Sequence, residues 1–203
     1  LVFNAGSSSL KFGVFSTGPA DEEVFKGSFE RFRDGQCDYR FRHDDTDEHG
    51  TAECGDIGMA LERVPDVLKR FGLDAVDAIG HRVAHGGSKF AAPAILDDGA
   101  VAAIEELTPL APLHNPANLE AIVLCRRFWP ATPQVAVFDT SFHLTNPAFA
   151  TTYAVPEQWR NAGLRRYGFH GTSHKYVAHR AATEIGQPLA DLQIVSVHLG
   201  NGA

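Results

Sequence analysis

The 203-residue chain contains no apolar run of eighteen residues, no signal-peptide pattern and no stretch rich in lysine and arginine. The first two absences give no support to a membrane-spanning or secreted protein. The third, with a formal net charge of −7, argues against nucleic acid or an anionic membrane as partner. A local basic pocket for a small anion stays open. Cysteine is scarce: Cys37, Cys54 and Cys125 make an odd count with no CxxC spacing. Neither a disulfide framework nor a zinc site is indicated, and reduced thiols in a cytoplasmic protein are the expectation. Also missing are the phosphate-loop pattern GxxxxGK(S/T) and a GxGxxG opening a helix, so neither of those nucleotide-binding architectures is expected. No short-period repeat is visible.

What the chain does have is an ordinary globular balance of 44% apolar and 21% charged residues, enough for one large domain or two small ones. The patterning predicts strands at 1–4, 10–16, 23–32 and 37–43, then a polar loop over 44–55. A helix follows over 56–71 with Gly72 just past its end. Val76–Val83 reads as a buried strand. A second helix follows Asp97 and Asp98, and a third has Asn115 as cap and Pro116 at its first turn. Gln193–Val197 reads as a strand, after a last helix capped by Thr172 or Ser173 and running to Gly186. Antiparallel strands followed by alternating strands and helices imply an α/β fold with a mixed sheet. The expected division is a first domain over 1–139, then a connection and the start of a second domain over 140–203. The open strand at residue 1 and the glycine-rich turn at residue 200 read as the first half of something longer.

Chemistry-bearing residues gather at strand ends. Between two apolar runs lies Asn4-Ala5-Gly6-Ser7-Ser8-Ser9-Leu10-Lys11, a hairpin whose small residues admit an anion and whose lysine opposes its charge, or an ordinary solvated turn. In Gly80-His81-Arg82-Val83-Ala84-His85-Gly86-Gly87, an arginine at the end of a buried strand wants a planar anion or an internal carboxylate. His81 and His85 share the spacing of helical metal ligands, but on a strand four residues span about 13 Å, too far for one ion. His114, after Leu113, precedes a helix start and could donate to a phosphate or close a turn. Asp139 ends a short strand, where ligands of open α/β sheets sit and where turn-forming aspartates also occur. His170 stands at the mouth of another helix, between Gly168-Phe169 and Gly171. His198-Leu199-Gly200-Asn201-Gly202 is either a second phosphate-cradling turn or a hairpin.

Six segments, NAGSSSLKF, GHRVAHGG, LAPLHNPANL, VAVFDTSFH, YGFHGTSHKYV and HLGNGA, run in order from end to end. Together they resemble the amino-terminal half of the acetokinase family, within the superfamily of acetate and sugar kinases and actin-like ATPases. The resemblance implies a ribonuclease-H-like domain followed by a similar one, with ATP, Mg²⁺ and acetate meeting between them, and a homodimer. It implies that Asn4 helps hold Mg²⁺, that Ser7, Ser9 and Lys11 face phosphate, and that His198, Leu199, Gly200, Asn201 and Gly202 form an ATP-phosphate loop. Arg82 would clamp the carboxylate with Ala84, Leu113 and Phe169 around it, His114 would lie near the phosphoryl group, Asp139 would take the acid/base position and His170 would stabilise the transition state. Acetate is ionised at neutral pH, so Asp139 is expected to orient Arg82 or a metal-bound water rather than to accept a proton. The family commonly carries HRVVHGG where this chain has Ala84, and the two missing methyl groups point to a preference shifted toward propionate. A propionate or butyrate kinase, or a non-catalytic anion-binding module, are the alternatives, and residues 1–203 alone are expected not to turn over.

Overall fold

A computed structural model describes residues 1–18 and 21–200. Its strands are β1 (Val2–Ala5), β2 (Ser9–Ser16), β3 (Glu22–Arg33), β4 (Gln36–His43), β5 (Thr46–Glu53), β6 (Ile79–Val83), β7 (Ala94–Ile95) and β8 (Gln134–Phe138). The helices are α1 (Ile57–Arg70), α2 (Asp98–Glu106), α3 (Asn115–Phe128), two short ones, α4 (Ala148–Thr151) and α5 (Glu157–Asn161), and α6 (Gly171–Ile185). All eight strands form one mixed sheet in the order β5-β4-β3-β2-β1-β6-β8-β7. The first five form an antiparallel meander, and β1, β6 and β8 run parallel. No helix among the described residues is long and apolar enough to cross a membrane.

Period-two alternation decides which face of the sheet is dry. Phe3, Leu10, Phe12, Phe25, Phe29 and Phe41 are buried on one side. Onto them α1 lays Ile57, Ala60, Leu61, Val64 and Leu68, the spacing of a single helical stripe. Each such Phe, Leu, Ile or Val side chain contributes roughly 1.5–3 kcal/mol by leaving water. A smaller cluster of Val83, Ile104, Ile122, Ala136 and Phe138 continues the core beneath α2 and α3.

The ends of α1 follow local chemistry. Asp56 accepts from the Met59 N–H at 2.8 Å, and Gly72, at φ 72°, lets the Leu73 N–H reach back to the Leu68 carbonyl. Asp97 caps α2 in the same way.

Four expectations need correction. Residues 44–55 are not a loop, because Thr46–Glu53 pairs along its whole length with β4. This edge strand is polar on both faces and is held by charge, Arg40 to Asp47 and Arg70 to Glu48, which leaves no apolar rhythm to read. The buried strand predicted from Val76 begins only at Ile79. Gln193–Val197 forms no strand and has no ladder partner among the described residues. The caps of α3 and α6 fall on His114 and His170, because Asn115 and Thr172 spend their side chains on other partners.

His81 shows what the core demands of a polar group. Its ring stacks on Phe3, and Nε2–H donates to the Gln134 Oε1 at 2.8 Å, leaving Nδ1 buried and unpartnered. Burial pushes its pKa down to about 4, against a smaller upward pull from the Gln134 bond. The folded state therefore keeps the ring neutral while the unfolded chain takes up a proton below about pH 6.5. Stability is complete above that pH and falls as the pH drops toward 4. At 1.36 kcal/mol per pH unit, this group alone removes about 2 kcal/mol between pH 7 and pH 5. Urea titrations should show this slope, and His81→Gln should lower stability at pH 7 while flattening it. An equally steep slope in the variant would assign the loss to other groups.

Candidate active site

The parallel strands β1, β6 and β8 point their carboxyl ends at one region, the usual location of a ligand crevice. Strand register fixes which side chains share a face there. Asn4 lies opposite Lys11, and Arg82 lies opposite Val137. The parallel pairing of Val2 with Gly80 and Phe3 with His81, continued by one residue, sets Asn4 beside Arg82. Lys11, Asn4 and Arg82 thus occupy one row on the face away from the phenylalanine core, with Lys11 and Arg82 two strands, about 10 Å, apart. Lys11 is exposed and pairs with Glu30 at 3.1 Å. The hairpin tip is closed by Gly6 N–H to the Ser9 carbonyl, with Ser7 exposed beside it.

Arg82 resolves the choice between internal and external anion partly in favour of the first. Its Nε–H and one Nη2–H donate to the Asp139 Oδ2 at 3.1 and 2.5 Å. The Thr172 hydroxyl donates to the other oxygen, Oδ1, at 2.9 Å. Asp139 is almost fully buried, whereas the arginine side chain keeps about a quarter of its surface. A guanidinium has five N–H donors, so the Nη1 edge is left for a second, external anion. The carboxylate is acceptor only, and its partners are both donors.

The start of α6 is built around the same aspartate. Gly171 N–H donates to the Asp139 carbonyl at 2.9 Å, and a Cβ at Gly171 would stand 2.3 Å from that oxygen. The glycine is thus required by protein packing, and so is Gly168, whose Cβ would meet the His143 ring at 2.3 Å. His170 is held just before Gly171 with φ 55°, a left-handed conformation that costs a non-glycine residue roughly 1 kcal/mol or more. Its ring stacks face to face on His198 at 4.2 Å between centroids, and Ser173 bonds the His198 Nδ1 at 3.1 Å.

On the other side of β6, His85 is buried, and burial lowers its pKa. Its Nδ1 accepts from the Gly87 N–H, and its ring meets Tyr167 and Phe169 edge-on at 4.5 and 5.6 Å. Phe169 is therefore drawn to the strand end, although nearly half exposed. Ala84 is buried directly after β6. His114 and Leu113 are exposed at the start of α3, next to Asn115, whose side chain grips both the N–H and the carbonyl of His85. Leu199 and Gly200 follow His198 as exposed chain, and Asn201 and Gly202 lie outside the described residues.

Sequence reasoning missed the supports. Asn115, Asn118 and Thr140 are buried, and each bonds main chain at the end of β6: Asn118 the Ala84 N–H, Thr140 the Gly86 N–H. The signal available was the Asn-Pro-Ala-Asn run, which sets two amides three residues apart on one helix face.

Comparison with known proteins identifies relatives along the whole chain. The Acetokinase family profile matches residues 1–203. Acetate kinase of Deinococcus radiodurans is 47% identical over the whole chain, and that of Bacillus subtilis is 45% identical. The chain spans about half the length of these relatives, 51% and 52%. Among solved structures, a propionate kinase from Francisella tularensis matches with a TM-score of 0.84 at 37% identity, covering 92% of this chain and 48% of that one. Porphyromonas gingivalis acetate kinase matches at 0.82 and 35%, covering 93% and 49%. The mixed-sheet α/β fold of the actin-like ATPase class, expected from the motifs, is thereby shown. The chain belongs to the acetokinase family, a family of phosphotransferases with a carboxyl group as acceptor.

Proposed function

We propose that this chain carries the acid-gripping and phosphate-facing part of a short-chain carboxylate kinase, which moves the terminal phosphoryl group of ATP reversibly onto acetate or propionate. The observation that carries the reading is Arg82, fixed by Asp139 at the open end of β6 with donors to spare, in one row with Asn4 and Lys11. A carboxylate on the free guanidinium edge gains charge-assisted hydrogen bonds in a fixed plane. One of its oxygens attacks the terminal phosphorus, the bond to the bridging oxygen breaks, and that electron pair leaves on ADP. The attacking group is already an anion, so no base is needed, and the protein's task is positioning and charge neutralisation. Asp139 acts by holding Arg82 in plane, and His170 donates toward the phosphoryl oxygens from its fixed place before α6.

Magnesium fits this arrangement in one way. No cluster of three or more acidic, histidine or cysteine ligands occurs among the described residues, so these residues offer no protein cage for a metal. Mg²⁺ commonly reaches such sites on phosphates and water, with few protein oxygens. The exposed amide oxygen of Asn4 suits that single contact, and the ion would supply charge neutralisation on the phosphates.

Trapping acyl phosphate with hydroxylamine tests the reading in the gene product that carries this chain. ATP with acetate or propionate should give the hydroxamate, and absence of product with both acids would refute the proposal. Arg82→Ala should raise the KM for the acid roughly 10- to 150-fold, as loss of a charged hydrogen-bonding pair of about 1.5–3 kcal/mol implies, with the KM for ATP within threefold. Asp139→Asn should raise the acid KM and leave the pH profile of kcat unchanged. Loss of its acidic limb at unchanged acid affinity would instead make Asp139 a proton carrier. Ala84→Val should lower the propionate-to-acetate efficiency ratio about fourfold, the worth of one methylene at about 0.8 kcal/mol. An unchanged ratio would remove Ala84 from acid selection.

A further inference from the structure

The rungs of the parallel ladders around β6 can be counted. Gly80 N–H donates to the Leu1 carbonyl, so at two residues per rung the next donors of β6 toward β1 are Arg82 to Phe3 and Ala84 to Ala5. That last rung is not made. Instead the Ala84 N–H donates to the Oδ1 of Asn118 at 2.9 Å, and the Nδ2–H of Asn118 donates to the Ala5 carbonyl at 2.5 Å. The side-chain amide of a residue on α3 is inserted into the rung, with its orientation fixed by a donor on one side and an acceptor on the other. The ladder to β8 ends the same way. Asp139 N–H donates to the Val83 carbonyl, and the following rung would run from the His85 N–H to the Asp139 carbonyl. Asn115 takes that N–H at 3.1 Å, and Gly171 takes that carbonyl.

We infer that Asn118 is a positioning residue that sets the separation between the phosphate-facing hairpin and the Arg82 clamp by wedging β1 from β6 at Ala5 and Ala84. The inference rests on the proposed carboxylate-kinase reading. Ala5 is the last residue of β1 before the Gly6–Ser8 turn, and Ala84 lies two residues beyond Arg82, so one buried amide is bonded to both subsites. Removing it lets the strands close into a direct rung and narrows the crevice from both sides. A residue that served only to stabilise the fold would change the folded fraction and leave the two substrate affinities alone.

Two substitutions separate the halves of the wedge. Asn118→Asp keeps an acceptor for the Ala84 N–H but loses the donor to the Ala5 carbonyl, so at pH 7.5 it should raise the KM for ATP at least tenfold with the acid KM within threefold. Asn118→Ala removes both bonds and should raise both KM values at least tenfold. Folded variants that keep both KM values within twofold of wild type, with kcat reduced or not, would overturn the inference. If neither variant folds, the wild-type protein decides by NMR. A through-hydrogen-bond coupling from the Ala84 nitrogen to the Asn118 side-chain carbonyl carbon supports the wedge, and a coupling to the Ala5 carbonyl carbon overturns it. Absence of acyl phosphate from the wild-type enzyme would be a failure of the functional reading instead, and the coupling still reports on the rung.

Discussion

Two side-chain amides on one helix face end the hydrogen-bond ladders on both sides of β6, and the rest of the site depends on that ending. Parallel strands left to themselves continue pairing until one of them turns. Here the pairing stops within two residues of Arg82, because α3 supplies both a donor and an acceptor where the backbone would have supplied its own. Buried main-chain groups must be satisfied, and Asn115 and Asn118 satisfy them without closing the gap. The spacing of β1, β6 and β8 at this end is therefore set by buried side chains rather than by loops. Elements on rigid strands hold functional groups more precisely than loops do.

Around that opening the polar contacts are connected. Arg82 is tied to Asp139, Asp139 to Thr172 and Gly171, and the residue before Gly171 is His170, itself stacked on a histidine that Ser173 holds. Breaking one link loosens the next, since a half-satisfied buried network is worse than none. The left-handed backbone at His170 is sustained by this surround, which fixes α6 at Asp139 and leaves the residue ahead of it no other path. On the opposite face α1 packs with the meander β1–β5 in one apolar cluster, and the exposed face is free to carry charge.

Much of this was legible in the chain. Gly72, Asp97 and Gly186 marked helix ends by local chemistry that tertiary packing did not disturb, and the strands β2, β3 and β4 were placed to within one residue at each end. The polar edge strand over Thr46–Glu53 was hidden, because its stability comes from backbone pairing and surface charge rather than burial. Gln193–Val197 carries strand-like residues, yet a strand exists only with a neighbour to pair with, and none stands beside it among the described residues. The caps of α3 and α6 were misplaced by one to three residues for a single reason: Asn115, Thr172 and Ser173 are good capping residues whose side chains have long-range partners. Arg82, Asp139 and His170 were singled out by type and position at strand and helix ends, and the structure pairs the first two and sets the third just before α6. Asn118 and Thr140 were not: the Asn-Pro-Ala-Asn run sets two amides on one helix face, but nothing in it says which main-chain groups they hold, and Thr140 carries no signal at all.

The central claim is that the gap at the end of β6 receives a carboxylate next to a phosphoryl group. A crystal structure of the gene product that carries this chain, grown with acetyl phosphate, tests it most directly. The account predicts the acyl carbonyl on the Nη1 edge of Arg82, with the Asp139 pair intact, and the phosphoryl oxygens between the Asn4–Lys11 hairpin and His170. Acetyl phosphate bound elsewhere, with β1 and β6 paired through Ala5 and Ala84, would contradict it.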